Sequence, residues 1–479
     1  MPTVNLFNIG RSGLMTSKQA LTTAGHNIAN VNTEGFSRQE VDITQAPTIP
    51  NARLTFGNGA WANKVNRVSD QYLEKRIQSE NKNFAGAEEK DLYLHQTEQI
   101  FNESNNDGVN RLATRFFNEF RKLSTDPAST AIRASVREAS DALCSEVRRM
   151  DHELKSVAKN IDDRIEGYIR EINAAAKEIR DLNLDIEKCE LGGGSAPDLH
   201  DKRDLALKRL GAMADISTSR DNNGRVTVTM AGHIPIVTGE NVTEIDVMVT
   251  PADSKLGKKE DRLDIFLKDA KSEPGELPPK LTQFFKTGRL GALLEVRDKD
   301  VSGAQDKIDK VAFLIGKEVN NLHRSGFGLD GAQGRDFFQQ PVKEEGAAQN
   351  FKISSDIQNN LDAIAAAKES FADGDNRMAL ALSGLGDLKG IAGDTTSSIL
   401  DVYNSMVSGL AVKTGASTKD LIFAKDVLSQ LENVRESLVG VNLDEETANL
   451  VKLQHSYAAN AKVLQVADET MQTVLSTFR

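Results

Sequence analysis

Large apolar residues recur every seven positions at both ends of this chain. Phe7, Leu14, Leu21 and Ile28 carry the spacing near the N-terminus. Leu443, Leu450, Tyr457, Leu464, Met471 and Phe478 carry it near the C-terminus. With 39% of residues apolar, ten matches at ten positions arise by chance about once in ten thousand for a fixed phase. A seven-residue repeat keeps one seam of a helix turned toward a partner helix and imposes a left-handed supercoil. Each end is therefore expected to pair with a helix, most simply with the other end. Leu453 and Val474 complete the expected C-terminal face. Gly10, Ser17, Ala24 and Val31 lie three residues after each large N-terminal position and permit a close helix approach.

A chain of 479 residues exceeds one ordinary core, so about two to four domains are expected. Aromatic residues are sparse and Trp61 is the single tryptophan, which favours slender helical packing over broad aromatic pockets. The net charge of −11 comes without a Lys/Arg block, which argues against a nucleic-acid partner. The N-terminus lacks the uninterrupted apolar stretch of a secretory signal. No window approaches the roughly 18 apolar residues of a membrane helix, so no membrane insertion is expected. Composition alone reads as cytoplasmic, a reading that fails for a protein exported by a route without a cleaved signal.

From Ile132 to Ile186 apolar residues recur every three or four positions, through Val136, Leu143, Met150, Ile161 and Ile172. This predicts one helix over about 127–190, capped by Asp126-Pro127 and ended by Gly192-Gly193-Gly194. Gly167 is its weakest point. Cys144 and Cys189 then lie about 65 Å apart, too far for a disulfide. A second helix is expected over 65–103 and a shorter one through Leu112–Leu123, after a turn at Asn105–Gly108. The segment 33–64 reads as irregular.

Past the glycines the period changes to two. Arg225–Met230, Ile234–Val237, Glu244–Val249 and Arg262–Leu267 are expected strands, broken by Asn-Asn-Gly and Thr-Gly turns. Pro274–Pro279 reads as a loop, 297–324 as a helix, and 335–393 as mixed. Helices return from about 395, separated near Gly440. The expected fold is mainly α with a β-containing middle. Residues 1–190 and 395–479 form a discontinuous helical stalk, with 1–32 and 441–479 as its coiled-coil layer, around an inserted α+β portion at 195–394.

Asn27-Ile-Ala-Asn-Val-Asn-Thr-Glu-Gly-Phe-Ser-Arg-Gln39 follows the first heptad run. Asn30 and Asn32 suit a helix end, and Gly35 permits a positive-φ turn beside Thr33 and Phe36. The whole string resembles the N-terminal signature of the bacterial flagellar rod, hook and junction proteins. Val441-Asn-Leu-Asp-Glu-Glu-Thr-Ala-Asn-Leu450 and its continuation to Glu469 resemble the matching C-terminal signature. Phe116–Ser124, Asp198–Asp204, Gly288–Arg297 and Asn320–Gly331 are similar to segments of the hook-associated protein 1 family, the first junction between hook and filament. The resemblance covers nearly the whole chain and is least specific at 205–285 and 335–395.

That family implies export through the flagellar type III apparatus with a chaperone, and a short ring of identical subunits at the hook tip. Its implied neighbours are the hook protein and the second junction protein, through which it meets the filament. The terminal helices would line the inner tube and order only on assembly. A hook or distal-rod protein of the same axial family is the alternative identity. An enzyme or adhesin module on a flagellar-like scaffold is the alternative of another class.

Residues for chemistry are not apparent. Gly192–Asp198 lacks the Gly-Lys-Ser/Thr ending of a phosphate loop and follows a helix, so it reads as a link. Asp198, Asp201 and Asp204 read as a charged helix start paired with its own Arg203. The seven histidines are scattered, with His26 and His455 as polar residues near the terminal seam. Asp444-Glu445-Glu446 reads as acidic residues favouring a helix start. No catalytic residue, metal ligand or cofactor is expected.

Overall fold

The structure, a computed structural model, describes residues 2–47, 49–51, 54–102, 108–221, 224–251, 261–268, 278–339, 343–390 and 398–477. Phe478, the expected turn at 105–107, Asn222-Asn223 and most of the expected loop at 274–279 lie outside the described residues.

Helix α1 (Pro2–Ala29) leads into the antiparallel strands β1 (Gln39–Gln45) and β4 (Ala60–Arg67), with the short pair β2 (Ile49–Asn51) and β3 (Leu54–Phe56) between them. The segment expected to be irregular is thus a β-ribbon. Val65 belongs to β4, and helix α2 (Gln71–Ile100) starts later than expected. Asp70 sets that start by accepting the N–H groups of Tyr72 and Leu73, a cap that outweighs the apolar spacing upstream.

After α3 (Val109–Leu123) comes α4 (Thr130–Leu191), whose 62 residues span about 93 Å. Its cap is Ser129, whose hydroxyl accepts from the Ile132 N–H, rather than the expected Asp126-Pro127 pair. The helix runs through Gly167 unbroken. Val136, Leu143, Met150, Ile161, Ile172 and Ile186 are all buried, as the three-and-four spacing demands. Cys144 and Cys189 are both free thiols.

Helix α5 (Pro197–Met213) precedes an antiparallel sheet of β5 (Ile216–Arg220), β6 (Val226–Met230), β7 (Ile234–Thr238) and β8 (Asn241–Val242), in that spatial order. Strands β9 (Ile245–Thr250) and β10 (Arg262–Leu267) form a separate antiparallel ribbon. Strand β5 goes unforeseen because Ser-Thr-Ser offers no apolar alternation. Two asparagines of α4 fasten this β region. The Asn173 amide bonds both the N–H and the carbonyl of Ile245, and Asn183 does the same to Val226.

The helix expected at 297–324 begins earlier, as α6 (Gly288–Glu295) running through a wider π-type turn at Val296–Val301 into α7 (Ser302–His323). Gly288 has φ +72°, and a Cβ there would lie 2.9 Å from the Met213 carbonyl oxygen. Two short helices follow, α8 (Ser355–Asn359) and α9 (Arg377–Gly384). The long α10 (Ile399–Val439) and α11 (Leu443–Thr477) close the chain.

One buried apolar cluster runs from Tyr93 to Leu410, with Phe116, Phe120, Phe337 and Phe338 packed in tilted and edge-to-face contacts near its middle. It is continuous across the expected boundary at 190–195, because α5 packs on both α2 and α4. Helices α1 and α11 contribute nothing to it. They pack on each other instead, forming a stalk beside the body.

Candidate assembly site: the stalk and its joint

The stalk is an antiparallel pair: Gly10 faces Leu464 and Val463, whereas Gly13 and Ser17 face Asn460. A Cβ on Gly10 would stand 3.0 Å from Leu464 Cγ, and one on Gly13 would stand 2.4 Å from Asn460 Oδ1. The buried line of α1 consists of small or polar residues, Gly10, Thr16, Ser17, Ala20, Thr23, Ala24 and Asn27. Glycine at the contact lets the two backbones approach closely. The seam therefore differs from a zipper of the large seven-spaced residues. Of those residues Leu464 packs on Gly10 within it, whereas Phe7, Leu443, Tyr457 and Met471 lie at its exposed flanks.

Leu14, Leu21, Ile28, Leu450, Leu453 and Leu464 are half-buried. Phe7, Leu443, Tyr457, Met471 and Val474 are exposed, each by more than 40%, and Met15 is 66% exposed. A pair of helices that leaves this much apolar surface in water has the anatomy of an unfinished bundle. His26 lies at the stalk base, edge-on to Phe36 and 3.2 Å from Asp198; His455 is exposed.

The stalk meets the body at the residues of the two end signatures. Helix α1 ends at Ala29, and Gly35 takes φ +79° in the turn that follows. Asn30 accepts from the Thr33 hydroxyl, Thr33 and Asn32 are exposed, and Phe36 is half-buried. The Asn27 amide bonds both backbone groups of Gln39. Arg38 then links four segments. Its N–H donates to the Val439 carbonyl at 3.0 Å, and its carbonyl accepts from the Val68 N–H at 2.8 Å. Its Nε donates to Glu446 Oε1 at 2.7 Å. Burial works against the Arg38 cation, but the hydrogen bond and charge of Glu446 overcome it and hold its pKa above the usual range.

On the body side, the acidic start of α5 is bound to the N-terminal segment, not to its own arginine. Asp201 accepts from the Ser37 N–H at 2.9 Å and from Arg67 at 3.0 Å. Asp204 also pairs with Arg67, and Asp198 accepts from the Gln39 side chain at 2.6 Å. Arg203 instead turns to Asn183, His200 and the Gly224 carbonyl. Burial pushes the Asp201 carboxyl up, against the Ser37 and Arg67 bonds that favour its charge. A cleft of about 580 Å³ opens beside the joint, between Val31, Phe36 and Val441 of the stalk base and Ile77, Leu207 and Arg435 of the body.

Glu446 and Arg67 are the joint residues that sequence reasoning misses. The signal for Glu446, an acid inside the C-terminal signature, is present but is also explained by the helix dipole. Arg67 sits in a strand that the spacing assigns to a helix. Among the described residues no cluster of three or more His, Cys, Asp or Glu could hold a metal ion. Among them, also, no helix is long and apolar enough to cross a membrane.

Comparison with known proteins covers both stalk and body. Residues 94–338 match the family described as the flagellar hook-associated protein FlgK helical domain. Residues 7–36 match the flagella basal body rod protein family, and 437–477 match the flagellar basal body rod FlgEFG protein C-terminal family. Flagellar hook-associated protein 1 of Bacillus subtilis is 25% identical, over 97% of this chain and 96% of its own length. That of Escherichia coli is 25% identical, over 98% of this chain and 99% of its own length. The structure of the flagellar hook junction protein FlgK from Burkholderia pseudomallei superposes with a TM-score of 0.66 at 13% identity. That likeness covers 76% of this chain and 99% of that one.

Proposed function

Because the chain belongs to the FlgK family of flagellar hook-associated proteins, a structural family of the hook–filament junction, we propose that its stalk is the surface through which identical subunits join. The observation that carries this reading is the large apolar residues flanking the small-residue seam, left open by the α1–α11 pair. A neighbouring stalk laid along either flank would cover Phe7, Leu14, Leu21 and Ile28 on one helix. On the other it would cover Leu443, Leu450, Leu453, Tyr457, Leu464, Met471 and Val474. Covering the half of each Leu or Met that the pair leaves open is worth about 1 kcal/mol, roughly half the value for burying a whole exposed side chain, so a closed ring gains stability that a lone stalk lacks.

In this arrangement the stalks form the inner wall of a short tube. Residues 1–190 and 395–479 supply the helical framework, and part of 195–394 faces outward. The axial neighbours are the hook protein on one side and the second junction protein, leading to the filament, on the other. Export through the flagellar type III apparatus with a chaperone brings the subunit to the hook tip. The turn of Asn27, Asn30, Asn32, Thr33, Gly35 and Phe36 sets how the stalk leaves the body. The role is mechanical, with no cofactor.

The test is complementation of a strain lacking the protein, whose expected phenotype is hooks without filaments and secreted flagellin. Leu21→Glu or Leu464→Glu should fail to restore filaments while the purified variant keeps its helical body. Normal filaments with either variant would overturn the stalk reading, and loss of the hook itself in the deletion strain would identify a hook protein instead.

A further inference from the structure

Trp61 is the chain's single tryptophan, and it is 62% exposed. It stands on β4 opposite Thr44 of β1, which is exposed as well. Side chains alternate along a strand, so Ala60 and Ala62 point the other way, where the ribbon lies on α1, and are half-buried. Ile43, beside Thr44, is 50% exposed. A two-stranded ribbon has little stability to spare, and an aromatic side chain held in water contributes none. Tryptophan is enriched among the residues that carry binding energy at protein interfaces.

Two hydrogen bonds fix where Trp61 lies along the stalk. The Thr16 hydroxyl donates to the Ala60 carbonyl at 3.2 Å, and Asn460 donates to the hydroxyl of the next residue, Ser17, at 3.2 Å. Strand β4 and helix α11 therefore pack on α1 at the same height. Trp61 lies one residue past Ala60 and Tyr457 three residues before Asn460, both displaced toward the joint. With rises of about 3.3 Å per strand residue and 1.5 Å per helix residue, the two aromatics stand within about 5 Å of one height. Tyr457 is 41% exposed, and the half-buried Leu450 and Leu464 extend its side of α11 by seven residues each way.

Taking the stalk as the surface that joins subunits, we infer that the ribbon of one subunit docks on α11 of a second copy of this chain, with Trp61 against Tyr457. Ring closure selects this pairing. The α11 flank laid on the same flank of a second copy is self-complementary and ends at a dimer, whereas a ring needs two different surfaces meeting head to tail. The ribbon face and the α11 flank are two such surfaces. They meet different residues of α1 at one height, so parallel stalks set side by side bring them together without an axial shift. An aromatic pair in edge or offset contact then adds to the burial of its area.

Two experiments test the contact. In the complemented deletion strain Trp61→Glu should reduce the number of filaments at least tenfold, and Trp61→Phe should restore most of them. The purified Trp61→Glu monomer should keep the parent's helical content and unfolding temperature, because the side chain stands mostly in water. Parent-level filaments with Trp61→Glu overturn the contact, and if Leu21→Glu still blocks assembly the stalk reading survives alone. A destabilised monomer also overturns it, by making Trp61 a residue of the subunit's own fold. In the second experiment Thr44→Cys and Ala461→Cys, one turn from Tyr457, are combined in full-length Cys189→Ser protein. Treating hooks isolated from that strain with a short bismaleimide should give a ladder of crosslinked subunits beyond the dimer, and neither single substitution should give any. Dimers alone, or no crosslinked species, overturn the head-to-tail contact.

Discussion

Asn27 and Gln39 are bound face to face, side-chain amide against peptide backbone. Asn27 Nδ2 donates to the Gln39 carbonyl at 2.9 Å, and its Oδ1 accepts the Gln39 N–H at 3.0 Å. Both residues are buried. Replacing Asn27 by Ala strands two buried backbone groups and should cost about 2–4 kcal/mol in the anchoring of α1. Hydrogen exchange at the Gln39 amide reads this directly, and protection equal to the parent would contradict it. Asn27→Asp keeps one acceptor and sets a carboxylate against a carbonyl, so it should be no milder than half that loss.

Two glycines of α1 should respond to alanine with opposite signs. A Cβ on Gly13 falls 2.4 Å from Asn460 Oδ1, so Asn460 must rotate and give up its bond to Ser17. Gly13→Ala should therefore lose about 1 kcal/mol of the stalk pairing. Gly25 has open space around its missing Cβ, and Gly25→Ala should gain up to about 1 kcal/mol from helix propensity. Protease cleavage rates within α1, faster for the first and slower for the second, distinguish them.

Acid should weaken the body through His323. Burial drives this imidazole down to about 4. In its neutral form it donates from Nδ1 to the Arg335 carbonyl and accepts the Ala365 N–H at Nε2. Its pKa is lower folded than unfolded, so the unfolded chain binds the extra proton. The stabilisation is complete above about pH 6.5 and is lost as pH falls toward 4, at most about 3 kcal/mol. Denaturant unfolding across that window should show a slope that His323→Gln removes; an equal slope in both would exclude the residue.

The two thiols should differ sharply in reactivity. Cys144 is buried in α4, and that burial pushes its thiol well above the ordinary cysteine range. Cys189 is half-exposed near the helix end. Alkylation of the native protein should label Cys189 alone, with Cys144 labelled on unfolding. Equal native rates would show that α4 opens locally.

What the sequence makes legible follows from how far each interaction reaches. Helix α4 is plain because period and cap act within a few residues. The heptads and the small residues Gly10, Ser17 and Ala24 mark the terminal helices and their close approach, yet not the antiparallel register that sets Gly10 against Leu464 and Gly13 against Asn460. The β1–β4 ribbon is hidden because Ala60–Arg67 alternates weakly and Val65 happens to fit the spacing of α2. Asp201 looks satisfied by Arg203 nearby, whereas its partner Arg67 lies 134 residues away. Glu446 and Asn183 are polar residues on helices whose partners, the Arg38 side chain and the Val226 backbone, lie far away in the sequence.

Helix α4 gives the joint a mechanical significance out of proportion to its size. One end of that helix lies by the joint, where the Ser195 hydroxyl bonds the Val65 carbonyl, and the other is held by Arg133 on the Leu361 and Ile364 carbonyls. A rod of 62 residues is a lever of about 93 Å, so a tilt of roughly 5° at the joint sweeps its far end through about 8 Å. Alignment tolerance at the periphery is therefore set by the few ångströms over which Arg38 and its neighbours grip the stalk base.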